Sequence, residues 1–279
     1  MDVIRNVRQM QDAAAVVKRS GRRTALVPTM GALHEGHVAL IRAAHAKGAA
    51  VAVSIFVNPA QFAPHEDFKR YPRPFEADTA LCEREGVAVV FAPAAEDVYA
   101  LNASTWVEET IVAKRLEGER RPQFFRGVCT VVAKLFAILQ PDVAVFGMKD
   151  YQQLKVVQRL ARDLCFGVEI VPVPTVREAD GLALSSRNQY LDESERAQAT
   201  VIFKALRVAQ SMFNAGENNA HQLATAMMRT VEIAPAARLD YAELAGGETL
   251  EPITEVKRGD VALIAAYLGK TRLIDNLVL

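Results

Sequence analysis

In the first two thirds of the chain, short valine-rich runs alternate with stretches of helical periodicity. That alternation limits the fold more than any other feature of the sequence. The runs at 24–28, 49–57, 87–92, 143–147 and 168–173 are apolar on successive residues and bounded by Gly, Pro, Asn or Asp. A strand that is apolar on both faces is buried on both faces, as parallel strands are. Helical patterns fill the gaps at 38–47, 75–85, 128–140 and 151–164, with Gly86 and Pro141 as stops. Strand, helix, strand in repetition predicts an α/β fold with a Rossmann-like doubly wound parallel sheet. Ligands of such a sheet bind at the carboxyl ends of its strands.

The pattern changes near residue 175. Helices are expected over 192–214 and 219–231, then short apolar runs at 239–244, 261–268 and 272–278. This predicts a first domain over 1–175 and a smaller C-terminal α+β domain over 176–279, a candidate lid. Hydrophobic residues make up 51% of the 279 residues, enough to bury both cores. Lys plus Arg equals Asp plus Glu at 33 each, which gives no general attraction to nucleic acid or to an anionic membrane. The first twenty residues mix charges and lack the apolar centre of a secretory signal, and Cys82, Cys129 and Cys165 form no C-x-x-C pair. Both features lead to the expectation of a reducing, cytoplasmic setting.

Four segments carry chemistry. PTMGALHEGH (28–37) follows the first expected strand and precedes a helix. Its glycines permit a tight turn and close backbone approach. His34 and His37 stand where a helix N-terminus presents N–H groups and partial positive charge, so the pair reads as a phosphate site without a Walker loop. A zinc-protease reading fails, because only two residues separate the histidines. FVNPAQF (56–62) ends the second strand, and Gln61 suits a small hydroxy acid. FGMKDYQQ (146–153) ends the fourth. Lys149 at a helix start opposes the helix dipole and so points to an anionic ligand. Asp150 and Gln153 could cap a helix reciprocally or contact ligand. Gln153 is expected on the same rim as Gln61, where the two would hold one small polar acid. GLALSSRN (181–188) sets two hydroxyls beside Arg187, a phosphate clamp that would face the histidines across a triphosphate.

Taken in order, PTMGALHEGH, FVNPAQF, YPR, FRGV-TVV-KLF, FG-KDYQQ and GLALSSRN resemble the pantothenate synthetase (pantoate–β-alanine ligase) family of the H-x-G-H nucleotidyltransferase superfamily. The resemblance covers nearly the whole chain and is densest over 28–190. It implies ATP-dependent condensation of (R)-pantoate with β-alanine through a pantoyl-adenylate, in pantothenate biosynthesis. It implies ATP contacts at Met30, Gly31, His34, His37, Gly147, Lys149, Asp150, Val176, Leu184, Ser185, Ser186 and Arg187. His37 is the implied proton donor, with His34, Lys149 and Arg187 also catalytic. Gln61 and Gln153 would bind pantoate, Gln61 would also meet β-alanine, and Asp78 would be the acidic position for Mg²⁺. A homodimer is implied as well. Met148 stands where the family commonly has glutamate, and Leu184 where it has methionine. The rival readings are another H-x-G-H nucleotidyltransferase, which keeps the nucleotide in its product, and a non-catalytic nucleotide sensor.

Overall fold

The computed structural model describes residues 1–64 and 66–279. The chain divides into two compact units, Met1–Met148 with Gln152–Pro174, and Lys149–Tyr151 with Thr175–Leu279.

The first unit holds six strands: β1 (Asp2–Ile4), β2 (Thr24–Thr29), β3 (Ala50–Ile55), β4 (Val89–Phe91), β5 (Val143–Gly147) and β6 (Glu169–Val173). All pairings are parallel, in the order β1-β4-β3-β2-β5-β6. The doubly wound sheet of the sequence reading is therefore present, with one extra edge strand. β1 is only three residues long and largely exposed, so it carries no apolar run by which it could be read. The helices are α1 (Val7–Arg19), α2 (Glu35–Ala46), α3 (Phe75–Arg84), the short α4 (Ala95–Val98) and α5 (Glu117–Arg120), α6 (Phe124–Leu139) and α7 (Tyr151–Asp163), whose first residue groups with the second unit.

The core explains the order. Ala25 and Val27 on β2, Val51 and Val53 on β3, and Val143 and Val145 on β5 pack with Ile41 and Ala44 of α2. Alternation sends Leu26 and Ala144 to the opposite face, where they are buried too. At the lower end, Asp142 Oδ2 accepts from the Thr24 N–H (2.8 Å) and hydroxyl (3.2 Å), fixing β2 against β5. α6 ends at Gln140 in the left-handed region (φ 45°), with Pro141 following. The strand order reverses between β2 and β5, so loops on either side of that point diverge and leave a crevice at the carboxyl ends.

The second unit packs α8 (Glu193–Ala199), α9 (Val201–Asn214) and α10 (Ala220–Glu232) with an antiparallel sheet of β7 (Ala237–Ala245), β8 (Val261–Leu268) and β9 (Thr271–Val278). Ile202, Leu206, Leu223, Met227, Ile264 and Leu268 form the centre of its core. The single helix expected over 192–214 is two, divided at Thr200, which caps the first and opens the second. Among the described residues no helix is long and apolar enough to cross a membrane.

Ile41 is wholly buried at the meeting of α2 with the sheet. Ile41→Ala should cost about 2–5 kcal/mol of stability in urea denaturation. A midpoint equal to wild type would remove α2 from its place in this core.

Candidate active site

The first unit brings three of the four segments to neighbouring strand ends. The β2–α2 turn, the loop after β3 and the end of β5 all leave the carboxyl edge of β3-β2-β5. Gly147 lies against α2, where an added Cβ would stand 3.9 Å from Leu40 Cδ2.

The turn after β2 is held from beneath. The Thr29 hydroxyl donates to Ser54 O (2.7 Å) and accepts from Gly31 N–H (3.2 Å). Gly31 has φ 81°, and a Cβ there would meet Asp78 Oδ2 at 2.9 Å and Ile55 Cγ2 at 3.1 Å, so only glycine fits. Met30, next to it, is half-buried. Asp78, on α3 and 2% exposed, takes the Ala32 N–H on Oδ2 (2.9 Å) and the Leu33 N–H on Oδ1 (2.8 Å). Burial raises the Asp78 pKa above the usual carboxylate value, opposed by those two N–H groups.

His34 is the N-cap of α2 rather than part of it. Its Nδ1 accepts from Gly36 N–H (3.1 Å), while His37 Nδ1 accepts from His34 N–H (3.2 Å). Two imidazoles thus form the reciprocal capping that Ser and Glu usually supply. With both Nδ1 atoms accepting, each neutral ring carries its proton on Nε2. The rings lie 4.2 Å apart at the positive end of the helix. Each ring therefore presents Nε2 as a donor where anions are favoured.

After β3, Asn58 caps a 3-10 turn over Pro59–Gln61. Gln61 is 9% exposed, and its backbone oxygen accepts from Arg121 (3.1 Å), which also grips Glu66 through two hydrogen bonds. In FGMKDYQQ the two glutamines divide their work. Gln152 is buried, accepts from Glu117 N–H (3.0 Å) and donates to Val112 O and Arg115 O (both 2.8 Å). Gln153 is half-buried at the start of α7.

In the second unit, Asn276 donates to Lys149 O (2.8 Å) and the Tyr151 hydroxyl to Gly247 O (2.9 Å). The Lys149 ammonium lies 3.9 Å from the Asp150 carboxylate. Residues 176–184 form a small hairpin: Leu184 N–H donates to Val176 O (3.0 Å) and Glu178 N–H to Leu182 O (2.8 Å). Arg177 anchors it, paired with the buried Asp275 (2.6 and 3.0 Å), donating to Gly181 O (3.1 Å) and lying over Phe203. The Ser185 side chain accepts from Arg187 N–H (3.3 Å), and Ser186, Arg187 and Leu184 are half-buried. The candidate lid of the sequence reading is this anchored hairpin and the 3-10 turn after it.

Comparison with known proteins decides the relationship. The family model described as pantoate–β-alanine ligase matches residues 2–278. The chain belongs to the pantoate–β-alanine ligase family. A relative in Thermotoga neapolitana, named pantothenate synthetase, is 46% identical over the full length of both chains. One in Acidobacterium capsulatum is 52% identical over 92% of this chain and 86% of its own. Among solved structures, pantothenate synthetase from Thermus thermophilus superimposes with a TM-score of 0.94 at 42% identity, covering 100% of this chain and 99% of that one. Pantoate–β-alanine ligase from Francisella tularensis, complexed with beta-gamma ATP and β-alanine, gives 0.82 at 32% identity, with 100% and 97% covered.

Within this ligase fold, sequence reasoning missed Thr29, Arg121, Arg177 and Asp275, the residues that hold the loops. Their partners lie 25 to 98 positions away, so no local spacing signals them. Asp78 stood out as an acidic position, but both its oxygens serve the turn. Among the described residues no three His, Cys, Asp or Glu side chains gather as a metal site.

Asp78→Asn sets an amide donor against one of two backbone donors and should shift the turn. A loss of about 10²-fold in kcat is expected, the scale of a small misplacement of reacting groups. The sign of the pH effect is also defined. With its native pKa raised, Asp78 stabilises most below the ordinary value of about 3.9 and less as pH rises through the native value. The difference in unfolding free energy should therefore move in the variant's favour across that window, and the opposite trend would sink the assignment.

Proposed function

We propose that this chain condenses (R)-pantoate with β-alanine at the expense of ATP, releasing AMP and pyrophosphate. The observation that carries the reading is the reciprocal cap of His34 and His37, two Nε2 donors at the N-terminus of α2, at the topological switch point of a pantoate–β-alanine ligase fold.

A carboxylate is a poor acyl donor because its leaving group would be oxide. In the first step a pantoate carboxylate oxygen attacks the α-phosphorus of ATP, the bond to the bridging oxygen breaks, and pyrophosphate leaves. In the second, the β-alanine amine attacks the acyl carbon of the pantoyl-adenylate, AMP departs with the C–O electron pair, and the amine loses a proton. Neither step needs a covalent nucleophile from the protein. Positioning and charge compensation supply the rate.

In this reading His37 donates a proton or hydrogen bond to the departing phosphate oxygens and His34 supports it. Lys149 and Arg187 neutralise the triphosphate, helped by Ser185 and Ser186. Met30, Gly31, Gly147, Asp150, Val176 and Leu184 line the nucleotide through their backbones. Gln61 and Gln153 hold pantoate, and Gln61 also meets β-alanine. Mg²⁺ enters with the triphosphate as part of the substrate, keeping phosphate and water oxygens as ligands. Asp78 is the anchor of the turn. The protein works as a homodimer in the cytoplasm, a setting that suits its three unpaired cysteines.

Pyrophosphate exchange into ATP should depend on pantoate and proceed without β-alanine; its absence would remove the two-step scheme. His37→Ala should lower kcat by roughly two to four decades, the usual scale for a positioned proton donor. Undiminished turnover would end its assigned role.

A further inference from the structure

Gln61 terminates a buried chain of hydrogen bonds whose direction is set by the backbone. Asn58 is 1% exposed. Its Oδ1 accepts from Ala60 N–H (3.2 Å) and from the Tyr99 hydroxyl (2.9 Å). Its Nδ2 donates to Gly127 O (3.1 Å) and to Gln61 Oε1 (2.9 Å). An N–H can only donate and a carbonyl can only accept, so the Asn58 amide has one permitted orientation. Reversing it would oppose two donors at Ala60 and two acceptors at Gly127. Gln61 must then turn Oε1 towards Asn58, and Nε2 becomes the end directed away from it.

The surroundings hold this arrangement rigidly. A Cβ on Gly127 would stand 2.2 Å from Ala60 O, so α6 and the 3-10 turn meet backbone to backbone. Arg121 fixes the Gln61 carbonyl. The Tyr99 ring stacks on Trp106 with centroids 6.1 Å apart. Burial pushes the Tyr99 pKa up to about 12, so its hydroxyl stays a donor at any working pH.

We propose that Asn58 and Tyr99 are positioning residues that set the polarity of Gln61, so that it meets pantoate as a hydrogen-bond donor to a carboxylate or hydroxyl oxygen. The proposal rests on the reading of Gln61 as a pantoate-binding residue. It adds a specificity rule: the substrate oxygen at this point is an acceptor, and an analogue that presents only a donor there is rejected.

Three variants of the full chain test it, each with kcat and KM for all three substrates and a melting temperature. Gln61→Glu keeps the acceptor for Asn58 but turns an oxygen towards the substrate, and kcat/KM for pantoate should fall by about 10²-fold. Asn58→Asp replaces the Nδ2 donor with oxygen, which reverses Gln61. The same parameter should fall by about 10- to 100-fold, with the ATP KM held within about twofold. Tyr99→Phe keeps the ring and loses one donor, for a fall of about threefold to tenfold carried by the pantoate KM. An unchanged pantoate kcat/KM in Gln61→Glu overturns the underlying reading and the proposal together. A normal response there, with pantoate kinetics unchanged in Asn58→Asp and Tyr99→Phe and only the melting temperature lowered, overturns the positioning role alone. Should Asn58→Asp fail to fold, Tyr99→Phe decides: an unchanged pantoate KM rejects the proposal.

Discussion

The buried carboxylate of Asp78 takes the N–H groups of Ala32 and Leu33, and the candidate site depends on that grip. It holds a turn in which Gly31 and Ala32 both have positive φ, a conformation the chain would not keep unaided. The turn in turn delivers His34 to the N-cap of α2 and His37 to its first turn. A desolvated carboxylate is costly, and two short backbone hydrogen bonds offset the cost. The same atoms explain the glycine at 31, since any side chain there would press on the carboxylate.

Above that anchor, sheet order does the gathering. β2 lies between β3 and β5, so the loops that leave their carboxyl ends are neighbours although their residues are ~30 and ~110 positions apart in sequence. Each loop then has its own fixing device. Asn58 and Tyr99 set Gln61, and Gln152 ties the start of α7 to the 112–117 segment. A site that positions substrates rather than attacking them needs this kind of rigidity, because geometry is most of what it contributes.

The second unit fixes its phosphate-clamp segment by a different means. Arg177 and Asp275 are a largely buried pair joined through two hydrogen bonds. Such a pair adds little net stability compared with an apolar replacement, yet removing one partner strands the other. Its value here is directional: the planar guanidinium also reaches Gly181 O and lies over Phe203, so the hairpin of residues 176–184 has one seat.

The sequence by itself determined the alternating α/β plan, the strand identities and the four chemical segments, because valine runs, turn residues and the H-x-G-H spacing are local signals. It also distinguished the two units by their change of pattern. It could not show β1, whose three exposed residues join the sheet only through pairing with β4, nor the break at Thr200. Tertiary structure alone decided that His34 caps the helix it precedes, that Asp78 serves the turn, and that Gln152 and Gln153 do different work. The physical reason is common to all of these. Hydrogen-bond partners and burial are properties of residues brought together from distant parts of the chain, and no spacing within a segment records them.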